Sequence, residues 1–155
     1  MTDWRFGPVI EADFEPLLAL RIEVMREHLE RVGRFTPERS RAVFRSHFDQ
    51  PGLRLILVGD EKAGCVGLRA GPEFVTVDSF YLATRFQNAG LGSRIFKALL
   101  AESDALGKPM RLDVLKKSPA DRFYLRHGFV PVAENEHDVT FERPLPGTAG
   151  LQARS

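Results

Sequence analysis

"RFQNAGLGSRIFKALL", residues 85–100, joins a polar, glycine-bearing loop directly to an apolar helix. Gly90 and Gly92 stand where that helix begins. Glycine loses the most backbone freedom on folding, so two of them at a helix start imply that bare backbone is needed there. A helix start carries unpaired N–H groups and a partial positive charge. A phosphate fits such a place when the backbone can be approached closely. Neither glycine has a Cβ to block the approach, and Gln87 and Asn88 add side-chain donors. The loop therefore reads as a candidate pyrophosphate cradle. The alternative is that the glycines only make a tight turn and let the helix pack close to a sheet. The G-x-G-x-x-G spacing of dinucleotide-binding folds fails here, and no Gly-Lys-Ser/Thr of a phosphate-binding P-loop occurs.

Working outward, the helix runs from about Gly90 to Leu106 and is closed by Gly107. Before it lie three strand candidates, "LRLILVGD", "AGCVGLRA" and "FVTVDSFYL", the first two joined by a polar turn at Asp60 to Lys62. Earlier still, Leu18, Ile22, Met25, Leu29 and Val32 recur at spacings of four and three, one apolar stripe on a helix from Glu11 to about Val32. Gly33 ends it. Thr36 as N-cap and Pro37 at the first position open a second helix to about Phe48. "WRFGPVI" is a first strand. Downstream come the strand "MRLDVL" and a short helix in "SPADRFYLRHG", with Ser118 capping, Pro119 first and Gly128 past the end. A hairpin of "FVPVA" and "VTFERPL" closes the fold. This order predicts an α/β protein of α+β character, a mixed sheet with helices on both faces. It predicts one domain over residues 1–145, with 146–155 as a frayed tail.

Composition narrows the function. The chain has 155 residues, 43% hydrophobic and 28% charged, with net charge +1. The charges are mixed along the chain, so neither a nucleic-acid nor an acidic-membrane partner is expected. Cys65, alone in an apolar run, reads as a buried core thiol rather than a nucleophile or metal ligand. No signal peptide and no apolar run of the ~20 residues that span a bilayer is visible, so cytoplasm is the expected location.

"FYLATRFQNAGLGSRIFKALL" resembles the signature of the GNAT superfamily of N-acetyltransferases, in which a strand leads into Q/R-x-x-G-x-G/A and a helix. Gln87, Gly90 and Gly92 occupy the motif positions, and Thr84 stands where proline is frequent. "LDVLKKSPADRFYLRHGF" resembles the second signature, with Ala120, Tyr124, Gly128 and Phe129 matching. Lys117 or Ser118 stands where the family often has asparagine. The resemblance implies an acetyl-CoA-dependent transferase acting on an amine of a small molecule or a protein. It implies a central, mostly antiparallel sheet in which two adjacent parallel strands splay. Phe80, Tyr81 and Leu82 would offer a backbone edge to the pantetheine arm. Gln87, Asn88, Ala89, Gly90, Leu91, Gly92 and Ser93 would hold the pyrophosphate, with Ser118 as a further coenzyme contact. Arg94, Lys116 or Arg122 would meet the 3′-phosphate. Dimers are common in the superfamily, so a homodimer is one expected state.

Amine acetylation needs a proton acceptor, an acid for the leaving thiolate and a donor that polarises the thioester, such as a backbone N–H near Leu82. Tyr124 is the candidate acid, because Ala120, Phe123, Tyr124 and His127 share a helix face. Asp78 is the candidate base, on the expectation that its strand is covered on both faces and the carboxylate desolvated. Glu73, His28 and His137 are weaker candidates. Arg21, Met25 and His28 fall on neighbouring helical positions that could line the acceptor wall, with Arg21 able to meet a carboxylate or else solvated. Two rivals stand beside the enzyme: a non-catalytic acyl-CoA-binding regulatory module, and a structural domain whose glycines only pack.

Overall fold

The computed structural model of the protein describes residues 3–145, so the expected tail over 146–155 lies outside the described residues. Strand β1 (Trp4–Pro8) leads through a 3₁₀ turn (Glu11–Asp13) into helix α1 (Phe14–Arg31), followed by α2 (Pro37–Phe48). Strands β2 (Leu53–Val58), β3 (Glu61–Ala70) and β4 (Val75–Leu82) come next. A 3₁₀ turn (Thr84–Phe86), α3 (Leu91–Ala105), β5 (Met110–Leu115), α4 (Ala120–Arg126), β6 (Val130–Glu134) and β7 (Asp138–Arg143) complete the order. The strands form a seven-stranded sheet in the order β1-β2-β3-β4-β5-β7-β6. β4 and β5 are parallel, whereas β1–β2, β2–β3, β5–β7 and β6–β7 are antiparallel. This is the mixed, mostly antiparallel sheet the sequence predicts. The parallel ladder is short, Val75↔Met110 and Thr76↔Arg111, while β5 pairs with β7 from Met110↔Arg143 to Leu115↔Asp138.

The contacts gather the described residues into two compact units: residues up to 69 with 77–94, and 70–76 with those from 95 onward. The chain passes between them inside β3, β4 and α3. In the first unit, Phe14, Leu17, Leu18, Phe44, Leu55, Cys65 and Tyr81 form the core. Phe14 stacks on Phe44 with ring centroids 5.6 Å apart and meets Phe48 edge-on. Thr36 caps α2 as its sequence predicts, its hydroxyl accepting from the Arg39 N–H at 3.0 Å, and Gly33 turns the chain at φ 72°. The first helix starts three residues later than its periodicity suggests. The Asp13 carboxylate accepts from the Ile10 N–H at 2.9 Å, and this tight turn holds residues 11–13 in 3₁₀ form. Its buried stripe also includes a charge, Arg21.

β3 and β4 approach unusually closely. A Cβ on Gly64 would lie 1.9 Å from the Tyr81 carbonyl oxygen, so only glycine fits. The Ala83 N–H donates to the Ala63 carbonyl at 2.9 Å, the Cys65 thiol to the Ser79 carbonyl at 3.3 Å. β4 thus runs locked against a strand whose centre is entirely buried.

The second unit is built around Phe96 of α3, which is fully buried. Phe123, Tyr124, His127 and Phe129 all place their rings 5.4–5.6 Å from it. Arg143 pairs with Asp104 at 2.7 Å and Arg111 with Glu142 at 2.7 Å, tying β5 and β7 to their surroundings. Helix α4 begins one residue beyond its predicted start. Pro119 occupies the N-cap position rather than the first helical one, and the Ser118 hydroxyl accepts from the Ala120 N–H at 3.2 Å. Gly128, at φ 91°, ends the helix as expected.

Candidate active site

The loop between β4 and α3 is held open by its own backbone. The Phe86 N–H donates to the Ala83 carbonyl and the Gln87 N–H to the Thr84 carbonyl, which folds the 3₁₀ turn. The Gln87 side chain then donates from Nε2 to the Leu82 carbonyl at 2.8 Å, pinning the loop to the end of β4. One of the two amide hydrogens that the sequence assigns to a ligand is therefore used structurally. Asn88 and Gly90 adopt left-handed backbone, φ 63° and 80°, the conformation that asparagine and glycine tolerate best. Beyond them, Arg94 is the first N–H to find a partner, the Gly90 carbonyl at 3.2 Å. Among the described residues, the N–H groups of Asn88, Ala89, Gly90, Leu91, Gly92 and Ser93 donate to nothing. A run of free amides at a helix start is a concave positive surface suited to an anion.

The two glycines separate here. Gly90 needs its positive φ, and a Cβ there would meet nothing within 4 Å. Gly92 has ordinary helical backbone, and a Cβ would lie 3.7 Å from Leu82 Cδ1, a normal contact. Neither strain nor crowding within the protein demands glycine at 92. The packing alternative fails at this position, and close approach by something outside the chain is what its missing Cβ permits.

On β4 the sequence expects a desolvated carboxylate at Asp78, and the structure gives that carboxylate a charged partner. Asp78 forms an ion pair with Arg69 of β3, whose other terminal nitrogen donates to the His47 carbonyl at 2.7 Å. The second carboxylate oxygen, Oδ1, is buried without a hydrogen bond. His47, in the last turn of α2, brings Nδ1 to 3.1 Å from the Ser79 hydroxyl and to 4.0 Å from Asp78. Both approach the same ring nitrogen. A nucleophilic triad needs hydroxyl and carboxylate on opposite nitrogens, so this cluster is not one. Burial holds His47 below the usual imidazole range, aided by Arg69 and Arg21 and opposed by Asp78. Ser79 has φ 51°, a left-handed residue inside a strand; burial alternates through it from Val75 to Tyr81 and the alternation stops only at Leu82, which is buried beside Tyr81. Tyr81 receives a hydrogen bond on its hydroxyl from Arg21 Nη1, and burial raises its phenol, which stays neutral. Burial likewise pushes the Cys65 thiol up to about 12, an inert thiol as its sequence suggests.

In the second unit Tyr124 is half-buried, its ring against Phe96, Phe129 and Phe141. Lys116 is ion-paired with Glu134 at 3.6 Å, whereas Arg122 is exposed. Ser118 spends its hydroxyl on the start of α4. His137 is half-buried beside Glu136, and His28 is half-buried with Nδ1 unpartnered rather than solvated. Sequence reasoning missed Arg69, His47 and Ser79. The signal for Arg69 was present, a charge at the end of an otherwise apolar strand. Among the described residues no group of His, Cys, Asp and Glu could hold a metal ion, and no helix is long and apolar enough to cross a membrane.

The fold is thus an α/β one with a mixed sheet holding one parallel pair and a free-amide loop leading from that pair's first strand into a helix. Residues 25–140 match the family described as "Acetyltransferase (GNAT) domain", and the chain belongs to that family. Its chemistry is acyl transfer from coenzyme A. Among solved structures, the chain is similar to an acetyltransferase from Thermus thermophilus (22% identity, TM-score 0.71, covering 92% of this chain and 97% of that one). It is also similar to the PaiA N-acetyltransferase from Thermoplasma acidophilum in complex with coenzyme A (14%, 0.73, 92% and 99%). A third is Ard1 from Thermoplasma volcanium (18%, 0.69, 92% and 97%). No curated protein matches the chain.

Proposed function

We propose that this chain is an N-acetyltransferase that moves an acetyl group from acetyl-CoA to a primary amine by direct attack. The observation that carries the reading is the run of free N–H groups from Asn88 to Ser93, opened by Gly90 and Gly92. It suits the pyrophosphate of coenzyme A, a ligand that the PaiA structure contains. The backbone of Phe80, Tyr81 and Leu82 pairs with the pantetheine arm, and an N–H near Leu82 polarises the thioester carbonyl.

In the reaction the neutral amine attacks the carbonyl carbon. The N–C bond forms, the C–S bond breaks, the amine loses a proton and the thiolate gains one. Tyr124 is the acid that protonates the thiolate. Asp78 receives the amine proton, directly or through water, on Oδ1, the oxygen that Arg69 leaves unused. The acceptor is an amine of a small molecule or of a protein, in the cytoplasm, with neither nucleic acid nor membrane as partner. A homodimer suits the reading as well as a monomer.

The test is release of free thiol from acetyl-CoA over a panel of amines, for the parent protein and Tyr124→Phe. The reading expects turnover that falls about 10²–10⁴-fold in the variant, with acetyl-CoA affinity unchanged. A regulatory acyl-CoA-binding module would bind the coenzyme and release no thiol, whichever amine is supplied.

A further inference from the structure

Arg21 is a buried cation without an anion. It projects from α1 with 8% of its surface exposed, inside the first unit. Burying a guanidinium is costly unless a carboxylate or a full set of acceptors repays the lost hydration. Arg21 has only the Tyr81 hydroxyl, a neutral acceptor, on Nη1, and the face of the same ring 5.8 Å away. Nε is buried with no partner, and Nη2 makes no hydrogen bond among the described residues. The unused Nε–Nη2 edge is the one that takes a carboxylate in two parallel hydrogen bonds. Nearby charge does not compensate. Asp78 is the carboxylate of this cluster, and it is already committed to Arg69. His47, Tyr81 and Cys65 are neutral, so two guanidinium groups face one carboxylate.

We propose that Arg21 is the specificity residue for the acceptor, and that the acceptor is an amine that also carries a carboxylate, as an amino acid does. This rests on the acetyltransferase reading. Arg21 is held on the Tyr81 hydroxyl, one residue before Leu82, the strand position assigned to the thioester. An acceptor clamped there by its carboxylate presents its amine beside β4. The free amides of residues 88–93 lie at the other end of the connection from Leu82 and serve the coenzyme, so the anion Arg21 takes is the acceptor's.

The experiment compares L-amino acids with their carboxamides as acceptors, for the parent protein, Arg21→Met and Arg21→Lys. Carboxamides have the less basic amine, so intrinsic reactivity favours them, and a preference for the acids must come from the protein. The expected result is kcat/KM at least tenfold higher for the acid of the best pair. In Arg21→Met, KM for that acid rises at least tenfold with kcat little changed, the preference disappears, and Arg21→Lys recovers part of it. Acetyl-CoA affinity by calorimetry is the same in all three. Equal use of acid and amide by the parent, an equal loss for both in Arg21→Met, or weakened acetyl-CoA binding in the variants would each overturn the assignment. If acetyl-CoA binds but no amine turns over, the acetyltransferase reading fails separately. Thermal melts with the same amino acids then decide the arginine: protection of the parent but not of Arg21→Met supports it, and no protection overturns it.

Discussion

Gly64 and Gly92 both neighbour Leu82 at the end of β4, and their missing side chains mean opposite things. At Gly64 the fold itself occupies the space, with the Tyr81 carbonyl 1.9 Å from where a Cβ would be. At Gly92 the nearest atom would be a comfortable 3.7 Å away. The first glycine is required by the protein's own architecture. The second is left over once packing has been accounted for, and a ligand is what it admits. The same contrast separates β4, locked against β3, from the loop after it, whose amides are free.

Substitution should widen that contrast. Gly64→Ala drives a methyl into a backbone carbonyl that cannot retreat without parting β3 from β4. We expect a loss of about 3 kcal/mol or more in urea denaturation, up to failure to fold. A loss below about 1 kcal/mol would show that the strand pair is more compliant than its geometry implies. Gly92→Ala should do the reverse. Removing a helical glycine stabilises the fold by about 0.5–1 kcal/mol, while acetyl-CoA binding weakens because the methyl stands in the pyrophosphate's approach. A variant both more stable and equally able to bind would remove the coenzyme as the reason for Gly92.

The smallest effect concerns pH. His47 and His127 both sit below the usual imidazole range, chiefly because burial disfavours their charged form. The unfolded chain therefore takes up these protons first as pH falls. Stability present above about 6.5, the unfolded value, is lost as pH drops from there toward the folded values. His47→Gln should flatten part of that slope in melts between neutral and acid pH, leaving the His127 share. An unchanged slope would mean that partial burial does not hold His47 neutral.

Local signals carried most of the fold into view. Thr36–Pro37 and Gly33 mark their helix ends through backbone chemistry that acts within a few residues, and the loop before α3 is legible for the same reason. The partners of the site were not. Arg69 meets Asp78 and His47 only because β3, β4 and the end of α2 converge, and Arg21 finds Tyr81 across 60 positions of chain. A stripe of apolar residues at helical spacing also hides which charged neighbour is drawn inside with it, as Arg21 is. Ser79 is a different case. Its left-handed backbone comes from a strand irregularity that has no residue signature, since glycine or asparagine would be the usual mark of such a place.

The measurement that bears most directly on the account is a calorimetric titration of the protein with acetyl-CoA, beside Gly90→Asp. Gly90 has open space around it, so the cost of the variant is the strain of its positive φ, a conformation that aspartate tolerates better than most residues, and a melt of the variant checks that it folds; it sets a carboxylate among the free amides. The account predicts micromolar binding by the parent protein and none by the folded variant. Equal binding by both, or none by a well-folded parent, would contradict the assignment of residues 87–93 to the coenzyme.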